Sequence, residues 1–112
     1  MTQIKWPFGE ADTKVLTATG AQALSIDDNM TVIDGVTVEA TANRTLDLTV
    51  DSEVKAGARL FLKSKTNGTE NTVFGTSITA PTIAGSAGKT KTQGFTYDGI
   101  AFLPDGTFVQ ID

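Results

Sequence analysis

The chain has no cysteine and no histidine among its 112 residues. The first absence excludes a disulfide framework and thiolate chemistry. The second removes the commonest general base and the commonest metal ligand. No run of 18 apolar residues occurs, so no membrane-spanning helix is expected. Residues Met1 to Gly9 carry Lys5 as their only charge and contain no apolar core of a secretory signal, so export by that route is not expected. Basic charge is in deficit, with nine Lys and Arg against thirteen Asp and Glu and a formal charge of −4. Such a surface repels phosphate backbones and anionic lipid, which argues against nucleic acid and membrane as partners. What is abundant is threonine, nineteen of them, together with eleven glycines. That bias favours strands and turns over helices. Three Asn-X-Thr sequons, at Asn29, Asn43 and Asn67, follow from the threonine content and without an export signal do not imply glycosylation.

The length suits one domain. We divide it into an N-terminal arm, residues 1–12, and a single β domain, residues 13–112. The arm holds the one tryptophan, Trp6, beside Pro7 and Phe8. Pro7 is unsuited to a helix interior or a central strand. If the arm is extended, Ile4, Trp6 and Phe8 fall on one side of it and form a strip suited to a partner. The competing reading folds the same strip back onto the domain's own core.

Strand signals fill the rest. Met30–Ile33 and Val36–Glu39 flank Asp34-Gly35, a dipeptide that predicts a two-residue hairpin with positive φ at its turn. Leu46 to Asp51 alternates apolar and polar, as a half-buried strand does. Arg59 to Lys63 is a denser apolar run, read as a central strand. Thr66 to Thr69 is a second hairpin candidate, returning through Asn71–Phe74. Gly75 to Gly88 reads as a loop with short edge strands. Phe95–Tyr97 and Ile100–Phe102 meet at Asp98-Gly99, and Pro104-Asp105-Gly106 turns into a last strand ending at Ile111. Ser52 to Lys63 is the one helical rival, at most a single turn, because Gly57 interrupts it. No internal sequence repeat is visible. The expected fold is all-β: a small β-sandwich or barrel of about eight short, mainly antiparallel strands, with the N-terminal arm.

Motifs that carry chemistry fail on inspection. Gly85 to Thr90 ends like a phosphate loop, but Ile83 stands where its first glycine belongs, and the sequence after it alternates like a strand. Asp27, Asp28, Asn29 and Asp34 resemble a calcium loop, but Val32 and Val38 occupy the positions of its required Gly and Glu. The five serines from Ser25 to Ser86 have no histidine to activate them. Every Asp and Glu falls at a turn or on the wet side of an alternating strand, so no carboxyl is set up for acid–base work. No catalytic residue, cofactor or metal is expected. Phe95, Tyr97 and Phe102 suit a core or, if exposed, a sugar-stacking groove.

From about Leu46 onward, L-D-L-T-V-D, then A-G-A-R-L-F-L-K, an N-G turn, T-V-F-G, a Gly/Ala/Thr linker, G-K-T and F-T-Y-D-G-I-A-F follow one another. This arrangement resembles small structural modules of tailed-bacteriophage virions: head-decoration, auxiliary capsid and head-fibre proteins. The resemblance implies a non-enzymatic virion protein, made in the host cytoplasm. It would attach to the major capsid protein or another virion protein and form a cyclic homo-oligomer, most often a trimer. The alternative is a fibre or tail-tip module contacting a host-surface glycan. A shell protein would bury Tyr97 and Phe102; a glycan module would expose one of them in a shallow groove.

Overall fold

The structure, a computed structural model, describes residues 12–112. Among them there is no α-helix. The chain forms ten strands: β1 Asp12–Val15, β2 Gly20–Ile26, β3 Met30–Ala40, β4 Arg44–Val50, β5 Arg59–Thr66, β6 Asn71–Phe74, β7 Ile83–Ala84, β8 Thr90–Tyr97, β9 Phe102–Pro104 and β10 Val109–Gln110. They make a six-stranded sheet in the order β1-β3-β5-β8-β10, with β9 also on β8, and a four-stranded sheet in the order β2-β4-β6-β7.

The first six strands alternate between the sheets, so the chain passes five times from one to the other. The pairings β1 with β3, β3 with β5, β2 with β4 and β4 with β6 are all parallel. This corrects the expectation of mainly antiparallel strands. Parallel neighbours need a long crossover, and here each crossover is itself a strand of the opposite sheet. Antiparallel pairing is confined to β5 with β8, β6 with β7, and β8 with β9 and β10. The fold is therefore all-β with two mixed sheets.

The Asp34-Gly35 hairpin does not exist. Both residues lie inside β3, and Gly35 is not among the residues of positive φ. The Asp34 carboxylate accepts the Val36 amide at 2.8 Å, the Thr37 amide at 3.1 Å and the Thr37 hydroxyl at 2.6 Å. This side chain satisfies donors that the ladder would otherwise take. Pairing with β5 runs to Gly35 opposite Ser64 and resumes only at Ala40 opposite Thr66. The intervening stretch is a bulge, which kinks β3 without reversing it. Thr66 to Thr69 is not a hairpin either; it carries the chain from β5 into the other sheet. The Asp98-Gly99 turn does join antiparallel partners, with Tyr97 opposite Phe102. Ser52 to Lys63 contains turns and the start of β5, with no helical turn.

Alternation in β4 and β5 turns Leu46, Leu48, Leu60 and Leu62 inward, where they meet Leu16, Ile26, Ile33, Ile78, Phe95 and Phe102 in one core drawn from both sheets. Arg44 shares their parity and is fully buried. Its Nη1 donates to the carbonyls of Val38 at 2.9 Å and Thr17 at 3.3 Å. Its Nη2 donates to the Gly35 carbonyl at 3.0 Å, the Lys65 carbonyl at 3.3 Å and Ser64 Oγ at 2.9 Å. Gly35 borders the bulge and Val38 lies within it, so the guanidinium supplies donors to carbonyls of the irregular stretch. Burial pushes its pKa down, and the charges of Asp34 and Glu70 pull it back. A group of such high intrinsic basicity remains protonated.

The hydrogen bonds to Asp34, first from the Thr37 hydroxyl and then from the Val36 and Thr37 amides, hold its carboxyl at about 2 against an ordinary 3.8. A depressed folded-state pKa stabilises the fold above the unfolded value and loses that contribution as pH falls through the folded one. The contribution is on the order of 2 kcal/mol at neutral pH. Urea titrations of the wild type and Asp34→Asn are expected to differ most above about pH 5 and to converge towards about pH 2. A gap that stays constant across that range would show that the ionised carboxylate is not what holds the bulge.

Candidate assembly surface

The described residues contain no group of three or more Asp or Glu placed to hold a metal ion. The phosphate-loop-like segment is closed to a ligand by its own backbone. The Gly85 amide donates to the Glu70 carbonyl at 3.0 Å, that of Gly88 to Thr66 at 2.9 Å and that of Lys89 to Ser86 at 2.9 Å. A strand follows it, so no helix dipole faces the loop. In the calcium-like cluster the Asp34 carboxylate is taken up by its own strand, and Asp27 lies 3.9 Å from the Lys14 ammonium. Asp51 accepts the Glu53 amide and closes a local turn, while Asp47 accepts the amide of Thr76, 29 residues further along the chain, so both carboxylates are engaged by backbone.

The aromatic residues divide by the parity of their strands. Phe95 and Phe102 are fully buried. Tyr97 packs on Phe102 with centroids 4.9 Å apart, and its hydroxyl donates to the Gly99 carbonyl at 3.1 Å. Phe102 therefore offers no free face to a sugar. Phe61 is the opposite case. Leu60 and Leu62 take the inward positions of β5, which leaves Phe61 on the outer face and 39% exposed.

Register places Phe61 in a row across that face, with Thr13 on β1, Val32 on β3 and Gly94 on β8. The next row holds Met30, Arg59, Thr96 and Leu103. A Cβ at Gly94 would have only Asp105 Oδ2 at 3.8 Å and Arg59 Nη2 at 3.9 Å for neighbours. The missing side chain leaves a hollow beside the Phe61 ring, part of an open groove of about 330 Å³ with Met30 on its other wall. Arg59 bonds Asp105 at 2.9 Å, and the Thr96 hydroxyl reaches the same carboxylate at 2.9 Å. These three residues give the apolar hollow a polar border. A second depression of about 280 Å³ continues it past Met30 and Arg59 to Asn29, Lys55 and Gly57.

No protein-family model, curated protein or solved structure matches this chain. Beyond the groove, the C-terminal third exposes Ile100 at 82%, Val109 at 56% and Ile111 at 63%, with Leu103 and Phe108 also uncovered. Exposed large apolar side chains mark contact surfaces where they adjoin one another. The sequence-predicted contact residues Ile4, Trp6 and Phe8 lie outside the described residues. The sequence reading missed two residues that matter. Phe61 was legible from parity, since Leu60 and Leu62 claim the inner face. Arg44 was legible from the same rule, because it is in phase with Leu46 and Leu48.

Proposed function

We propose that this protein is a non-enzymatic structural component of a bacteriophage virion. In this reading it decorates or attaches to the capsid surface through the major capsid protein or another virion protein. The observation that carries the reading is the outer surface: exposed apolar residues along the six-stranded sheet and the C-terminal strand, on a domain whose buried polar groups bond chiefly to its own backbone. Such a domain is built to be held by neighbours rather than to transform a ligand. The sequence resemblance to head-decoration and head-fibre modules supplies the biological setting. We read the two sheets as the layers of a small β-sandwich, residues 1–12 as an arm with Ile4, Trp6 and Phe8 as its contact strip, and the working form as a homo-oligomer, with a trimer favoured. Sheet edges and apolar faces left open on a small domain are commonly covered by symmetric assembly. The glycan-binding alternative loses support from the burial of Phe102 and the self-contained hydrogen bond of Tyr97.

The test is made on particles. In virions purified by density from cells infected with the phage that encodes this chain, the protein is expected as a stoichiometric head component, and antibody against the β domain should label the shell. Abundant protein in the lysate with none in purified particles would end this reading; label confined to the tail tip would favour the fibre alternative.

A further inference from the structure

We propose that Asn67 and Gly68 form a self-modification site, in which the Glu70 carboxylate draws the proton from the Gly68 amide and that nitrogen closes on the Asn67 side chain with loss of ammonia. The inference is independent of the proposed function and concerns the loop that carries β5 into β6.

Four asparagines occur in the chain, and three of them are unsuited to the reaction. Oδ1 of Asn29 accepts the Lys55 amide at 3.0 Å and Oδ1 of Asn43 accepts the Asn71 amide at 2.8 Å, so both side chains are held in place. Met30, Arg44 and Thr72, which follow Asn29, Asn43 and Asn71, are strand residues whose side chains shield the amide nitrogen that would attack. Asn67 differs on every count. It is exposed, it stands just outside β5, and its side chain takes part in no hydrogen bond among the described residues. Its successor is glycine, which obstructs ring closure least. An Asp-Gly pair can close the same ring, but the carboxylates of Asp34, Asp98 and Asp105 are each engaged by hydrogen bonds.

The second observation is the base. The Gly68 amide donates to Glu70 Oε1 at 2.6 Å, a short bond to a charged acceptor. A Cβ at Gly68 would sit 2.9 Å from Glu70 Oε2, so the absent side chain is what lets the carboxylate lie against this nitrogen. The backbone around it is fixed. The Asn67 amide donates to the Ala40 carbonyl at 2.9 Å, and the Thr66 hydroxyl donates to the Gly68 carbonyl at 2.9 Å. An amide nitrogen becomes a nucleophile only as it loses its proton, and a base within hydrogen-bond reach can take that proton. The Gly68 nitrogen bonds to Asn67 Cγ, the Cγ–Nδ2 bond breaks, and the proton taken by Glu70 leaves with Nδ2 as ammonia. Water then opens the cyclic imide at either carbonyl, which restores the Gly68 or the side-chain linkage and leaves aspartate or isoaspartate at position 67. Either product adds a negative charge beside Glu70. Isoaspartate also lengthens the backbone by one methylene, in a loop fastened to its neighbour by the bonds from the Gly85 amide to the Glu70 carbonyl and from the Gly88 amide to the Thr66 carbonyl. The reaction thus records the age of the molecule in its charge and slackens the contact between these two loops.

The test follows the full-length protein in neutral buffer, sampled over time and digested with trypsin. Cleavage after Lys65 and Lys89 gives one peptide that holds both Asn67 and Asn71. Fragment masses are expected to show amide-to-acid conversion at Asn67 well ahead of Asn29, Asn43 and Asn71, with aspartyl and isoaspartyl forms of the peptide separating on chromatography. Glu70→Gln keeps an acceptor for the Gly68 amide but supplies no base, and conversion should slow severalfold. Glu70→Ala should slow it to a similar degree, with far-ultraviolet circular dichroism checking that each variant keeps its strands. In urea Glu70 is no longer held on this amide, so wild type and Glu70→Gln should convert at equal rates there. That comparison separates a positioned base from a sequence neighbour. Folded Glu70→Gln converting as fast as folded wild type, or faster, overturns the proposal. So does a difference that persists undiminished in urea, or conversion at Asn29, Asn43 or Asn71 that keeps pace with Asn67.

Discussion

Arg44→Met is expected to lower the stability of the domain by roughly 3–5 kcal/mol, a loss comparable to the whole stability of a weakly stable domain. Methionine fills much of the volume but donates no hydrogen bond. Buried ion pairs can often be exchanged for apolar residues at little cost, because both partners leave together. Here the principal partners are the carbonyls of Thr17, Gly35, Val38 and Lys65, and a backbone cannot be mutated away. They would be left buried without donors, each at a cost of about 1–3 kcal/mol before relaxation. Arg44→Lys should fall between, since one ammonium cannot serve carbonyls on both sides of the planar guanidinium. Urea unfolding checks this directly. An Arg44→Met protein within about 1 kcal/mol of wild type would mean that the bulge finds other donors.

Gly35→Ala is expected to cost about 1–3 kcal/mol, and Gly35→Val more, through close approach rather than backbone strain. A Cβ at this position would sit 2.8 Å from Arg44 Nη2, 2.9 Å from the Lys63 carbonyl and 3.2 Å from Leu16 Cδ1. The guanidinium passes where the side chain would be. The two substitutions should therefore be non-additive, with Gly35→Ala costing less in the Arg44→Met background than alone. Equal costs in both backgrounds would acquit the guanidinium and leave the Lys63 carbonyl as the obstacle.

These two residues also mark where the sequence stops being readable. The alternation of Leu46 and Leu48, the dense run at Leu60–Leu62 and the Asp98-Gly99 turn announce strands and a turn that the structure contains, because each is decided by neighbours a few residues away. Asp34-Gly35 carries the same local signature as a hairpin and is not one. Its carboxylate bonds Val36 and Thr37, and its glycine makes room for Arg44, a residue nine positions on. That reason exists only once the sheets have come together. The parallel path is hidden for a related cause. Partner positions lie 19 residues apart at Asp12 and Thr31 but 29 apart at Met30 and Arg59. With turns so unequal, no period survives in the sequence although the path repeats. The groove was half legible: parity puts Phe61 outside, but the hollow beside it depends on Gly94 arriving opposite from β8.

That late arrival bears on how the protein is made. β5 takes β3 on one side and β8 on the other, and β8 begins only at Thr90. While the ribosome is still short of that residue, the emerging chain holds the parallel strands of the six-stranded sheet with one flank of β5 uncovered. Unpaired strand flanks are templates for pairing with another chain, and the hazard grows with the time they stay open. The segment from Thr90 onward, through β8 to β10, thus acts as the seal on a sheet whose other strands are synthesised first.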